Sequence, residues 1–345
     1  MPKTIALTGG GTGGHTFPLL ALANHLENNE EYAFIWMGEK AGLEEKIAEE
    51  AEIEFKSIKA GKFRRYFSWK NFYEPLLNIV GFFQSIFYLY HYNIDGVFSK
   101  GGFVSLPLCF AAFVMRKKIY IHESDTVAGI SNKMIGKFAT KIFYTFPNEK
   151  IDNKKHILTG QILNPKLFNK INTHEILEEN DELEVLVIAG SQGSTIIFEN
   201  LINILPSVKN MNFTIILGDK NLHFREKFSK FKNVKTLDFV TQDLLKEIYK
   251  KTDISITRAG ATTLWELYFF GIHSIIIPLS SAAGNHQELN ADYFTEMFGS
   301  DKLDENHNLK LDLLNKLTKY VNLRKRGLNT TGYNYALQRI EKELD

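Results

Sequence analysis

Glycine-rich turns, each set between an apolar run and a helical pattern, are where this sequence is equipped for chemistry. The most informative stretch is Thr257-Arg258-Ala259-Gly260-Ala261-Thr262-Thr263-Leu264-Trp265-Glu266, followed by Gly284-Asn285-His286-Gln287-Glu288-Leu289-Asn290-Ala291. The alternating run Asp253 to Thr257 reads as a strand, Gly260 as a tight turn, and the residues up to Gly271 as a helix. The first N–H groups of a helix have no intrahelical partner and its dipole favours negative charge, so a phosphate can bind such a turn. Glu266 lies one or two turns into that helix, where a carboxylate can accept hydrogen bonds from a pair of sugar hydroxyls. A purely structural account also fits: Arg258 on the surface, Glu266 solvated and Gly260 an ordinary turn residue.

Two further turns carry glycine. Gly9-Gly10-Gly11-Thr12-Gly13-Gly14-His15 follows the run Thr4 to Thr8, and Gly190-Ser191-Gln192-Gly193 follows Glu184 to Ala189. Gly9-x-Gly11-x-x-Gly14 matches the dinucleotide fingerprint, with Glu39 after the second strand as the ribose acid. The same loop spans a P-loop, but His15 stands where the phosphate-binding lysine is required. A single nicotinamide site would have no use for the second glycine turn, the Arg258–Glu266 element and the Gln287–Asn290 element, so no cofactor is expected. His15 ends the first loop, where an imidazole can remove a proton near neutral pH; a packed or capping histidine is the plain alternative. His122-Glu123-Ser124-Asp125 gathers three potential metal ligands at a strand end. It lacks the second histidine of H-E-x-x-H, and the chain has no D-x-D pair, so polar contact to a sugar or acceptor is expected rather than metal binding.

The elements that must position these residues repeat twice. Apolar runs at Thr4–Thr8, Ala33–Met37, Gly96–Ser99, Ile119–His122 and Ile142–Thr145 alternate with helical or loop segments, which indicates a doubly wound parallel sheet. A second cycle has strands at Glu184–Ala189, Phe213–Leu217, Asp253–Thr257 and Ser274–Ile277. The expected domains are residues 1–160 and 161–324, joined where Asn164-Pro165 and the acidic run Glu175 to Glu182 break the pattern, with residues 325–345 returning to the first domain. The 345 residues suffice for two cores, and the net charge of +1 gives no global field for nucleic acid. The single cysteine, Cys109, fits a reducing compartment, and the N-terminus has no signal-peptide pattern, so the cytoplasm is expected.

One local charge feature stands out. Between Glu54 and Glu74 there is no acidic residue, while Lys56, Lys59, Lys62, Arg64, Arg65 and Lys70 are interleaved with Phe63, Tyr66, Phe67, Trp69, Phe72 and Tyr73. Basic and aromatic side chains so mixed suit an anionic membrane surface. The stretch Leu76 to Tyr90 is too short and too polar to span a bilayer. Its apolar residues Leu76, Leu77, Val80, Phe83, Phe87 and Tyr90 give a helix a broad apolar face that is either core or bilayer contact, and the core reading is favoured because an α/β sheet needs helices on it.

The glycine loops, Ser99-Lys100-Gly101-Gly102-Phe103-Val104-Ser105, His122-Glu123-Ser124-Asp125, Arg258-Ala259-Gly260-Ala261 and His286-Gln287-x-x-Asn290-Ala291 together resemble the MurG family, in order from residue 4 to about 295. Those enzymes move N-acetylglucosamine from its UDP donor to lipid I, making lipid II for peptidoglycan. The resemblance implies the GT-B glycosyltransferase fold, two Rossmann-like α/β domains facing a cleft, with the donor mainly on the second domain and a polyprenyl-diphosphate muramyl-peptide acceptor on the first. It implies an inverting, metal-independent reaction at the cytoplasmic face of the membrane. Carried over residue by residue, Thr12, Gly13 and Gly14 lie near sugar and diphosphate, and Ser191 contacts the diphosphate. Val240 and the turn of Ala261, Thr262, Thr263, Leu264 and Glu266 hold uridine, with Arg258 beside them and Glu266 on the ribose. Gln287 and Asn290 meet the donor sugar, while His15 or Glu123 serves as base and Asp125 as a polar contact. Other acceptor lipids and UDP-sugar 2-epimerization are the rival activities. The chain departs from the commonest pattern at Asp125, where many members have asparagine, and at Phe103, where many have tyrosine. At Lys166 the family usually has arginine, and a lysine cannot copy a bidentate guanidinium.

Overall fold

The computed structural model describes residues 2–10, 13–27, 31–61, 70–151, 154–168, 182–324, 327 and 333–344, the side chains of 70–73 and 283 excepted. Thr12, the basic aromatic run from Lys62 to Trp69 and nearly all of the acidic run before Glu182 lie outside the described residues. The chain forms two compact units, Met1–Asn164 with Asn334–Asp345, and Pro165–Tyr333.

The first unit runs β1 (Lys3–Thr8), α1 (Gly13–Leu26), β2 (Tyr32–Gly38), α2 (Leu43–Glu50), β3 (Glu54–Ser57), α3 (Lys70–His91), β4 (Gly96–Ser99), α4 (Ser105–Val114), β5 (Lys118–Glu123), α5 (Ile130–Ile135), β6 (Lys141–Tyr144) and β7 (His156–Leu158). Its strands pair in parallel in the order β3-β2-β1-β4-β5-β6-β7. Parallel pairing follows from the alternation, since each crossover returns the chain to the same sheet edge through a helix. The central strands read as unbroken apolar runs because helices cover both faces: every residue of β4 is buried, as are Ile119–Glu123 of β5.

The second unit runs α6 (Pro165–Phe168), β8 (Leu183–Ile188), α7 (Thr195–Ile204), β9 (Met211–Ile216), α8 (Phe224–Phe228), β10 (Val234–Leu237), α9 (Gln242–Lys251), β11 (Ile254–Thr257), α10 (Ala261–Phe269), β12 (His273–Ile276), α11 (His286–Phe298), β13 (Asp301–Lys302) and α12 (Leu309–Lys319). Its parallel sheet has the order β10-β9-β8-β11-β12-β13. Val185, Val187, Phe213, Ile215, Ile254 and Ile256 build its core with Phe198 and Leu201 of α7 and Leu313 and Leu317 of α12. A last helix, α13 (Tyr335–Glu341), belongs to the first unit. It buries Ala336, Leu337 and Ile340 among Leu22, Trp36, Tyr120 and Phe143, while Lys141 Nζ bonds Glu343 at 2.8 Å and Tyr120 donates to the Leu344 carbonyl at 3.2 Å.

The expectation that Leu76, Val80, Phe83, Phe87 and Tyr90 face the core is corrected: all five are exposed, Phe83 at 63% and Tyr90 at 76%. Helix α3 docks by the opposite face. A Cβ on Gly81 would lie 1.8 Å from the Lys59 carbonyl oxygen, so the helix backbone rests directly on the segment after β3. Asn78 accepts the Gly61 N–H at 3.0 Å and Gln84 accepts the Lys59 N–H at 2.9 Å. These polar side chains satisfy backbone that continues past the sheet edge, and Leu89 completes the buried side. Phe82, beside Phe83 of the stripe, packs on Phe110 of α4, and a groove of about 480 Å³ lined by Ile79, Phe82, Phe110, Met134 and Phe138 runs between α3, α4 and α5. Among the described residues no helix is long and apolar enough to cross a membrane. Lys56 is already engaged, in an ion pair with Glu54 at 2.9 Å.

Candidate active site

In each sheet the chain builds strands outward in one direction and then returns to the other side of its first strand. Loops leaving the carboxyl ends of those two strands diverge and open a crevice, the usual ligand position in open α/β sheets. The switch falls between β1 and β4 in the first unit and between β8 and β11 in the second.

In the second unit the turns Gly190–Gly193 and Arg258–Gly260 leave the sheet side by side. Gly193 has φ +72° and a Cβ there would lie 1.8 Å from the Leu217 carbonyl, so only glycine lets this turn rest on the end of β9. Ser191 is exposed at the tip, and its carbonyl accepts the Asp219 N–H at 3.1 Å. Gly260 caps α10 with no side chain over the first amides, and a Cβ on it would meet nothing within 4 Å. The start of α10 therefore offers N–H groups and dipole to an approaching anion. Ala261 is buried, Thr262 and Thr263 are half-buried, and Val240 is half-buried after β10.

Glu266 sits on the second turn of α10 at 8% exposure, and Tyr249 of α9 donates to its Oε2 at 2.9 Å. Burial pushes its carboxyl up to about 7, and the Tyr249 hydroxyl works against that rise. Glu266 is therefore not the solvated residue of the plain account. Arg258 is not on the surface either. Its Nη1 donates to the carbonyls of Ile277 and Pro278 at 3.0 and 3.2 Å and pairs with Glu305 at 2.7 Å, while Nη2 donates to Ser194 Oγ at 2.8 Å. Since Ser194 also caps α7, Arg258 ties three strand ends into one rigid frame rather than reaching for a ligand.

Two other assignments change. Leu264 has no exposed surface and its N–H bonds the Gly260 carbonyl at 3.0 Å, so neither side chain nor amide is available to uridine. Asn290 is fully buried and donates to the Ala259 carbonyl at 3.0 Å, bracing the Arg258–Gly260 turn from beneath. Gln287, half-buried, accepts the Leu279 N–H at 2.9 Å through Oε1, which points its amide nitrogen the other way.

In the first unit the β1–α1 and β4–α4 turns interlock. A Cβ on Gly102, at φ +87°, would lie 2.7 Å from the Gly10 carbonyl oxygen, and one on Gly9 would lie 3.0 Å from Lys100 Cβ. His15 is half-buried and Gly14 exposed at the start of α1. The Gly10 carbonyl 3.1 Å from His15 Nδ1 can only accept, so Nδ1 carries the proton and Nε2 is the basic nitrogen of the neutral ring. Glu123 is buried, and its carboxylate accepts from Asp125 N at 3.1 Å, Gly129 N at 3.2 Å and Asn132 Nδ2 at 2.8 Å. His122 has both nitrogens engaged, Nε2 with the Gly160 carbonyl at 3.0 Å and Nδ1 with Lys100 Nζ at 2.6 Å, so this cluster has no free imidazole for a metal. Among the described residues no group of three His, Cys, Asp or Glu side chains is placed to hold one. Glu44 is buried against this turn: its Oε1 lies 2.6 Å from where a Gly10 Cβ would be, and it accepts the Glu39 N–H at 3.1 Å.

Sequence reasoning missed Tyr249, Ser194, Glu305 and Asn132, whose partners Glu266, Arg258, Arg258 and Glu123 lie on other elements of the fold. Asp125 and Phe103 are half-buried at the same crevice edge, and Lys166 is exposed on α6.

Residues 5–144 match the glycosyltransferase family 28 N-terminal domain and residues 184–343 its C-terminal domain. A UDP-N-acetylglucosamine–N-acetylmuramyl-(pentapeptide) pyrophosphoryl-undecaprenol N-acetylglucosamine transferase of Clostridium kluyveri is 34% identical over 99% of both chains. One of the same description from Clostridium botulinum is 36% identical over 91% of this chain and 90% of its own. Among solved structures, MurG of Acinetobacter baumannii superposes with a TM-score of 0.77 at 22% identity, over 99% of this chain and 100% of that one. UDP-GlcNAc 2-epimerase from Neisseria meningitidis, bound to UDP-GlcNAc, gives 0.69 at 13% identity, over 100% and 99%. Shape alone therefore groups transferases with epimerases, as the GT-B fold of two Rossmann-like units, and sequence separates them. The chain belongs to the MurG family of UDP-N-acetylglucosamine–N-acetylmuramyl-(pentapeptide) pyrophosphoryl-undecaprenol N-acetylglucosamine transferases.

Proposed function

We propose that this chain transfers N-acetylglucosamine from UDP-GlcNAc to the C4 hydroxyl of a polyprenyl-diphosphate muramyl-peptide, with inversion at the anomeric carbon. The observation that carries the reading is end-to-end likeness, at 34% identity, to a relative so named. The second unit supplies the donor site. Ser191 and the N-terminal turn of α10, at Ala261, Thr262 and Thr263, face the diphosphate, where negative charge grows as UDP leaves and fixed N–H groups stabilise it. Val240 and Glu266 take the uridine, Glu266 through the ribose hydroxyls, and Gln287 takes the sugar. The first unit supplies the acceptor side, with Thr12, Gly13 and Gly14 near sugar and diphosphate, His15 Nε2 receiving the hydroxyl proton, and Glu123 and Asp125 beside it. The test is transfer of labelled sugar from UDP-GlcNAc to a short-chain lipid I analogue. Conversion of UDP-GlcNAc to a soluble product without acceptor would instead make this chain an epimerase.

The acceptor is membrane-bound, and the first unit has a surface suited to reach it at the cytoplasmic face. The exposed stripe of Leu76, Val80, Phe83, Phe87 and Tyr90 meets the groove between α3 and α4 where Phe83 touches Phe82, an apolar area of the kind that marks an interaction site. The basic run from Lys62 to Arg65 adjoins it in sequence and would add attraction to an anionic surface.

A further inference from the structure

Lys100 is the only buried lysine or arginine among the described residues, at 2% exposure. An ammonium in that position is costly unless paired and hydrogen-bonded. Its Nζ donates to His122 Nδ1 at 2.6 Å and to Ser124 Oγ. The direction is fixed, because His122 Nε2–H is spent on the Gly160 carbonyl. Lys100 thus joins the end of β4 to the strand end that carries Glu123 and Asp125, and Gly9 of the β1–α1 turn packs on its stem. Burial pushes the ammonium down to about 7, while the charges of Glu123 and Asp125 hold it up. Burial and Asp125 push the Glu123 carboxyl up, opposed by Asn132, the Asp125 N–H and the charge of Lys100. The other titratable groups around this point are His15 and Glu44 at the Gly9–Gly10 turn, His122, held neutral by burial and by Lys100, and Tyr144 on β6, which feels the Glu123 charge.

We propose that Lys100 is a positioning residue for the transfer reaction: gripping His122 and Ser124, it fixes the strand end bearing Glu123 and holds a buried ammonium at that same strand end. This rests on the reading that Glu123 serves the acceptor side. An opposite charge nearby favours the ionised carboxylate, so its loss should be visible in a pH profile as an upward move of the acid limb.

The experiment compares Lys100→Met, Lys100→Gln, Glu123→Gln and the Lys100→Met/Glu123→Gln double variant. UDP-GlcNAc affinity and thermal midpoint are measured first, to establish a folded donor half. Lys100→Gln keeps a donor for His122 and removes only the charge. Both Lys100 variants are expected to bind UDP-GlcNAc within about twofold of native, since the donor groups lie on the other sheet, and to lose turnover at neutral pH. The acid limb of kcat/KM for the lipid I analogue should move up in both. In the Glu123→Gln background, Lys100→Met should change the rate by less than about threefold, because coupled groups are non-additive. An unmoved acid limb in Lys100→Gln, or an equal loss of rate in both backgrounds, overturns the proposal and leaves Lys100 a brace. Near-native turnover of Glu123→Gln alone overturns the reading of Glu123 and, with it, this role.

Discussion

Replacing Glu266 by glutamine tests the second unit in two independent ways. Burial holds the carboxyl at about 7 against an ordinary 4.5. Between those values the folded chain keeps a proton that the unfolded chain has released, so the unfolding free energy falls as pH rises through this window and levels off above it. A rise of that size corresponds to roughly 3 kcal/mol. Glutamine keeps an acceptor for the Tyr249 hydroxyl and does not titrate. The variant should therefore gain on native by up to about 3 kcal/mol between pH 5 and pH 8, or about 6–12 °C in midpoint for a unit of this size. Calorimetric melts of both proteins at the two pH values measure the change in their gap. A gap that stays constant would refute the claim that burial, rather than a compensating partner, governs this carboxylate. The ligand side follows from the same group. If ribose hydroxyls donate to the ionised carboxylate, UDP-GlcNAc affinity of the native protein should weaken toward tenfold per unit as pH falls below about 7, and the variant should be weaker throughout and flat. A flat native profile from pH 6 to 8 would mean that no ligand hydroxyl is given to Glu266. The conflict between the two effects is the usual one at a binding site, where a buried charge is retained at the expense of stability.

His15→Ala should lower turnover by about 10²- to 10⁴-fold with UDP-GlcNAc affinity unchanged; near-native turnover would remove it as the base. Arg258→Lys replaces a fork with a point charge and cannot hold Ser194 and the Ile277 and Pro278 carbonyls at once. A fall of roughly 2–3 kcal/mol in stability, together with weaker donor binding, is expected, and an unchanged melt would show that the frame does not depend on it. Phe83→Asp with Phe87→Asp should abolish sedimentation with anionic vesicles while leaving the melting temperature in place, because both rings are already exposed. Equal vesicle binding by native and variant protein would move the membrane contact elsewhere.

The fold was legible because a parallel sheet needs apolar strands and crossover helices in strict alternation, and each glycine turn marks a carboxyl end where ligands sit. The site was legible in its backbone and less so in its side chains. Glu266 and His15 occupy the turns that their spacing predicts, yet Arg258, Leu264 and Asn290 share those motifs and are spent on the frame. A motif records everything needed to make a site, including the residues that never touch a ligand, and only three-dimensional hydrogen-bond accounting separates the two. Tyr249 illustrates the converse. It lies on the buried face of α9, 17 residues before its partner Glu266, and nothing local distinguishes it from a core aromatic.

Helix α3 shows why a face read from the sequence can be inverted. Leu76, Val80, Phe83, Phe87 and Tyr90 recur at the spacing of one helical stripe, which by hydrophobicity alone belongs against the sheet. The opposite face carries Asn78, Gly81, Gln84 and Ser85, and it is the one that docks. The backbone beyond β3 fits this face: Gln84 accepts the exposed Lys59 N–H, Asn78 accepts the part-buried Gly61 N–H, and Gly81 leaves room for the Lys59 carbonyl. Leaving the Gly61 donor unpaired would cost up to about 1–3 kcal/mol, and a side chain at Gly81 would collide with the Lys59 carbonyl. Burying the apolar stripe would recover about 1.5–3 kcal/mol per side chain, so the helix forgoes a comparable or larger gain by facing it outward. An exposed stripe of this size marks an interaction surface. Under the membrane contact proposed above, an anionic bilayer would return the forgone burial each time the protein docks.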